Sequence, residues 1–216
     1  MLHLPARTVC DRRIPKQTFY ERLALTPALR QAFARQIRGI FWRHKIAPAT
    51  MDIAPGPSVT ELEIFEIEIQ DPPLPAALLR LIDQSIPYHI LFLFSWDGLC
   101  QAWLGYKDTV SGAPKVSRYY HTDWMEEKEL PLRLIGRTTD DIYENFLRQI
   151  AGSRLADRSA PLKEAVRRDA EREALEKQIL SLEKKLRKEQ QPNRQYPIFK
   201  ELQAARRALE ALTQHS

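Results

Sequence analysis

The sequence predicts an α+β protein: a small mixed β-sheet with flanking helices, followed by a C-terminal antiparallel coiled-coil helical hairpin. Three observations carry this expectation. Strand-length runs with two-residue alternation or continuous apolar character fill the middle of the 216-residue chain, among them "ELEIFEIEIQ" and "YHILFLF". Segments with apolar residues at helical spacing stand on either side of them. From Ala160 to Gln191 there is no glycine, and Leu175, Ile179, Leu182 and Leu186 recur at steps of four, three and four, the pattern of a coiled-coil seam.

After a lead rich in proline and arginine, "TPALRQAFARQIRGIFWRHKIAP" is read as one long helix. Thr26 is its N-cap, Pro27 its first residue, and Leu29, Phe33, Ile37, Ile40 and Phe41 its apolar stripe. In the next segment Phe65, Ile67 and Ile69 share one strand face, and Glu66, Glu68 and Gln70 share the other. Leu62 and Ile64 fall on the even side, so a bulge or strand end is expected near Ile64. Pro72, Pro73 and Pro75 stop the strand. "AALLRLIDQSI" is a short amphipathic helix and "YHILFLF" a buried strand, a βαβ order that implies parallel pairing. "LCQAWLGYK" and "KVSRYYHTDWM" follow as an antiparallel meander around the turn "DTVSGAP". A further helix is expected after Thr139 as its cap, with Ile142, Phe146 and Ile150 inward and Gly152 as its stop.

The compact domain is expected over residues 1–153 and the hairpin over 154–216. In the tail, "QQPNRQYP" breaks the first arm, and Leu202, Ala205, Leu209 and Leu212 restart the seam. A shorter second arm would leave Leu162 and Val166 uncovered. With Leu175, Ile179 and Leu182, these become candidate residues for binding a larger partner or a second copy of the chain.

Charge is unevenly placed. Residues 1–50 hold ten basic and two acidic residues, 51–153 hold eight and 16, and 154–216 hold 15 and ten. Such asymmetry suggests either nucleic-acid surfaces on the basic parts or mutual complementation within the fold. The candidate phosphate contacts are Arg30, Arg35, Arg38, Arg43 and Lys45 in front, and Lys184, Lys185, Arg187 and Lys188 near the hairpin tip. No run approaches the roughly 18 apolar residues of a membrane helix, and no leader-like stretch opens the chain. Two cysteines make no disulfide framework, so a cytoplasmic protein with reduced thiols is expected.

Catalytic chemistry is thinly represented. Glu66 and Glu68 would lie about 7 Å apart on one strand face, the arrangement by which restriction-type nucleases hold a divalent cation. The lysine normally found two residues on is here Gln70, which cannot supply an ammonium's stabilisation of developing charge. Glu66, Glu68 and Gln70 are therefore either a divergent nuclease strand or a solvated sheet face. The histidines lack metal-ligand spacing, and there is no nucleophile elbow or glycine-rich phosphate loop, so no metal or cofactor is expected. The aromatics Trp96, Trp103, Tyr106, Tyr119, Tyr120 and Trp124 are read as cross-strand packing rather than base-stacking platforms.

The ordered segments "LTPALRQAFARQIRGIFWRHKIAPAT", "ELEIFEIEIQ", "LIDQSIPYHILFLF", "YYHTDW" and "LEKQILSLEKKLRKEQQPNRQ" together resemble the bacterial domain-of-unknown-function family numbered 4391. The resemblance implies a role in phage-defence or restriction-like gene neighbourhoods, with a helicase or DNA methyltransferase as the larger partner. It implies a class of partner, not an activity, and brings no catalytic residues with it; an accessory subunit of a DNA-acting complex is the expected role, with a divergent metal-dependent nuclease as the alternative.

Overall fold

The structure is a computed structural model that describes residues 4–108 and 115–214. His215 and the expected turn from 109 to 114 lie outside the described residues. The chain divides into two compact units, Met1–Gly152 and Ser153–Ser216.

The first unit is built on a six-stranded sheet in chain order: β1 (Val9–Arg13), β2 (Ile37–Ile46), β3 (Leu62–Ile69), β4 (His89–Trp96), β5 (Leu99–Asp108) and β6 (Lys115–His121). Only β3 and β4 run parallel, from Leu62↔His89 to Glu68↔Ser95. Helix α3 (Ala76–Gln84) makes the crossover between them, as the strand–helix–strand pattern predicts. The meander of β4, β5 and β6 is antiparallel.

The long helix expected over residues 26–48 does not form. Helix α2 covers Pro27–Gln36, capped by the Thr26 hydroxyl accepting from the Leu29 amide, and the chain then passes directly into β2. Ile37, Ile40, Phe41 and Trp42 favour a pleated, half-buried surface, and a central glycine weakens a helix by about 1 kcal/mol. A Cβ on Gly39 would stand 2.7 Å from the Phe41 ring and 3.1 Å from Glu68 Oε2, so a larger residue where β2 pairs with β3 would displace those side chains. The lead also forms structure that its composition hides: β1 pairs with β2, and α1 (Lys16–Arg22) follows it.

The bulge expected near Ile64 is present, but in the strand paired with it. β3 alternates without interruption, and the register shift belongs to β2, between Trp42 and His44, opposite Phe65 and Ile64. Both faces of the sheet are covered, but at different points along the strand. Phe65, Ile67 and Ile69 join Phe33, Leu78, Leu79, Ile82, Phe92 and Phe94 in a core beneath α1, α2 and α3. Leu62, Ile64, Leu91, Leu104 and Tyr120 alternate onto the opposite face, all essentially inaccessible. There α4 (Thr139–Ala151) packs, with Tyr143 against the His89 ring at 4.6 Å and its hydroxyl donating to the Gly105 carbonyl. Glu66 and Glu68 lie beyond this cover, on the same face.

The cap of α4 is Thr138 rather than Thr139. Thr138 and Asp141 form a reciprocal capping box. Thr139 is instead buried, accepting from the Gly56 amide and donating to the Val59 carbonyl, while Asp140 accepts from the amides of Ser58 and Val59. These contacts fix the loop that feeds β3.

The second unit is the helical hairpin of α5 (Leu162–Lys188) and α6 (Pro192–Gln214). The predicted break over residues 190–197 shrinks to Glu189–Gln191. Pro192 suits a first helical position, and Pro197 is carried within the helix. The arms therefore have 27 and 23 residues, and the second is not markedly short. Leu175, Ile179, Leu182 and Leu186 pack against Ile198, Leu202 and Ala205. Val166, expected to be uncovered, is buried, and Leu162 is half-buried.

Candidate nucleic-acid interface

The cations of the N-terminal third do not share one helix face. Arg30 and Arg35 are exposed on α2, with the Arg30 guanidinium 5.3 Å from the Tyr20 ring, whereas Arg38, Arg43 and Lys45 belong to β2. Two of the five are neutralised within the fold. Arg43 bridges Asp11 and Glu66, with its Nε 2.7 Å from Glu66, and Lys45 pairs with Glu61. Here the basic front and the acidic middle complement each other.

The acidic strand is likewise engaged. Glu66 accepts from Arg43 Nε and from Ser95 Oγ at 2.9 Å. The guanidinium thus lies beside a carboxylate that a cation would need. Glu68 and Gln70 line an open depression of about 380 Å³ with Arg38, Ser95, Trp96 and Asp97 at the carboxyl ends of β3 and β4. Among the described residues, no group of three or more His, Cys, Asp or Glu side chains is arranged to hold a metal ion.

Sequence reasoning overlooked Glu63 of this strand and Glu61 just before it. Glu63 is almost wholly buried. Burial, and then its hydrogen bond and proximity to Glu61, push its pKa up to about 9, so it holds a proton at neutral pH. Burial acts against the Glu61 charge, but the Glu63 hydrogen bond and Lys45 hold its pKa below the ordinary value. A second buried polar group joins α3 to the meander: Asp83 pairs with Lys107 at 2.7 Å and accepts from Tyr119 at 2.9 Å. The meander aromatics pack: Trp103 stacks on His121 at 4.3 Å and meets Phe94 and Tyr119.

The hairpin distributes its charges differently. From Leu162 to Glu183, five basic residues face six acidic ones. Arg167, Arg168, Arg172 and Lys177 are paired with Glu164, Asp169 or Glu173 at 2.5–3.1 Å. Arg154 closes on the buried Asp169 at 3.0 Å. From Lys184 to Arg207, eight basic residues face only Glu189 and Glu201. Arg206 pairs with Glu183. Among the described residues, Lys184, Lys185, Arg187, Lys188, Arg194, Lys200 and Arg207 form no ion pair. Tyr196 and Phe199 are 61% and 46% exposed in this region, and Leu180, just before Glu183, is 65% exposed. These three lie off the seam, and their helical offset from it is the signal by which they could have been found.

The predicted site residues thus fall into separate places. Arg43, Lys45 and Glu66 are joined by ion pairs, and Glu68 and Gln70 share a depression with Arg38. Leu175, Ile179 and Leu182 are spent on the intramolecular seam. The four tip cations cluster at the hairpin turn. No curated protein and no solved structure matches the chain. The family described as "Domain of unknown function (DUF4391)" matches residues 2–209, nearly the whole chain, and the protein belongs to that family.

Proposed function

We propose that the protein is a non-catalytic, nucleic-acid-binding accessory subunit that works in the cytoplasm within a DNA-acting defence or restriction-like assembly. The observation carrying this reading is the segregation of charge along the hairpin. An arm held together only for structural reasons would show the same compensated ladder throughout. Here compensation stops at the Glu183–Arg206 pair, and among the described residues the six cations on its turn side, Lys184, Lys185, Arg187, Lys188, Arg194 and Lys200, form no ion pair. Phosphate contacts release condensed counterions and supply the sequence-independent part of nucleic-acid affinity. The larger partner, a helicase or DNA methyltransferase, is suggested by the family resemblance alone. The engagement of Glu66 by Arg43 and Ser95, with Gln70 in place of a lysine, favours this reading over a metal-dependent nuclease.

Charge reversal tests the proposal. The full chain should bind a fluorescein-labelled oligonucleotide, and Lys184→Glu with Lys188→Glu should weaken binding by at least about tenfold, since each phosphate contact contributes through counterion release. Reversal of Arg167 and Arg168 should have little effect. Equal binding by wild type and the tip variant would refute the assignment.

A further inference from the structure

We infer that the hairpin tip is built for single-stranded nucleic acid, with Tyr196 and Phe199 as base-stacking platforms among the phosphate-binding cations. This rests on the nucleic-acid reading above and specifies the substrate class of the same site. The Glu183–Arg206 pair aligns one flank of α5 with one flank of α6. On α5 that flank continues three residues back to Leu180 and four forward to Arg187. On α6 it continues seven residues, about two turns, back to Phe199, and three more to Tyr196. Residues three and four apart are neighbours on a helix surface. Leu180, Arg187, Tyr196 and Phe199 thus form one exposed flank.

Packing within the hairpin does not explain this flank. The seam takes Leu182, Leu186, Ile198 and Leu202, and the two aromatics stand outside it. Lys200 lies over the Tyr196 ring at 4.8 Å, which puts a cation on a ring that is still mostly exposed. Duplex DNA needs only the cations, because its bases are already stacked and offer no open face. A single strand uses both halves of the surface: phosphates on Lys184, Arg187, Lys188 and Arg194, and bases on the two rings. An anionic membrane surface would use the same charges. However, an interfacial helix buries a broad, continuous apolar face, whereas here three apolar side chains are interleaved with charge.

The test uses the full chain and three probes: a single-stranded oligonucleotide of about 15 nucleotides, the corresponding duplex, and vesicles of phosphatidylserine and phosphatidylcholine. Tyr196→Ala with Phe199→Ala should weaken single-strand binding about tenfold or more, since both stacking platforms are lost. Duplex binding should change less than about twofold, and helicity by circular dichroism should be retained. Tyr196→Trp with Phe199→Trp should restore single-strand affinity. Equal losses on both nucleic acids, or none on either, would overturn the stacking role while leaving the basic tip intact as a phosphate surface. Vesicle binding without nucleic-acid binding would overturn both readings.

Discussion

Arg206 on α6 donates to Glu183 on α5 at 2.8 Å, and this cross-hairpin pair marks where charge compensation along the arm ends. On one side of it, carboxylates and guanidiniums alternate at three- and four-residue steps and neutralise one another. On the other, lysines and arginines crowd the turn with only Glu189 and Glu201 among them. The seam is continuous through both regions, so the helical hairpin places an uncompensated cationic patch at its turn.

The seam sets the stability of that arm. Leu182→Ala removes a buried side chain facing Leu202 and Ala205 and should cost about 2 kcal/mol, the low end for a core leucine. Far-UV circular dichroism during thermal melting should show an earlier loss of helix. An unchanged melt would mean that the two helices do not depend on each other.

The first unit contains a buried ion pair whose two ends are unequal in consequence when broken. Lys107→Met leaves the Asp83 carboxylate, with 1% of its side chain exposed, without its counter-charge, and should destabilise the unit by about 3–5 kcal/mol. Adding Asp83→Asn should recover much of that loss, read as a denaturant midpoint. No recovery in the double variant would show that packing, not charge, dominates there.

Glu63 gives a pH signature. Its folded pKa is raised to about 9, above the unfolded value, so it binds its proton more tightly in the folded state. The associated stability is complete below the unfolded carboxylate value and is lost as pH rises through about 9. Glu63→Gln, which stays neutral, should therefore gain on the wild type with rising pH and show a flatter melting temperature from neutral to alkaline conditions. Parallel pH profiles for the two proteins would remove the buried proton from the account.

No magnesium- or manganese-dependent cleavage of DNA is expected from the purified protein, because Arg43 and Ser95 already occupy Glu66. Cleavage that disappears in Glu68→Ala would reinstate the acidic strand as a catalytic element.

Much of this architecture was legible in the residues. The βαβ step from β3 through α3 to β4 follows from two apolar strands around an amphipathic segment, and the hairpin from its leucine spacing. The passage from α2 to β2 was hidden, because Leu29, Phe33, Ile37, Ile40 and Phe41 satisfy helical spacing even though Gly39 weakens a helix and the aromatic run favours a strand. What decides is pairing with β3, a tertiary contact that a helix-period stripe does not register. β1 was hidden for the same reason. The tip cations could be named from sequence, whereas their lack of acidic partners depends on geometry: Arg43 and Lys45, equally basic in sequence, find Glu66 and Glu61 across the sheet.

The most direct test of the central claim is the salt dependence of oligonucleotide binding by the full chain and by a variant with Lys184, Lys185, Arg187 and Lys188 all changed to glutamine. If those four side chains hold phosphates of a single strand, the slope of log affinity against log salt should become shallower by roughly 3. Affinity at low salt should fall in parallel while helicity is unchanged. A wild type that binds with a slope identical to that of the variant would contradict the assignment of the hairpin tip as the nucleic-acid surface.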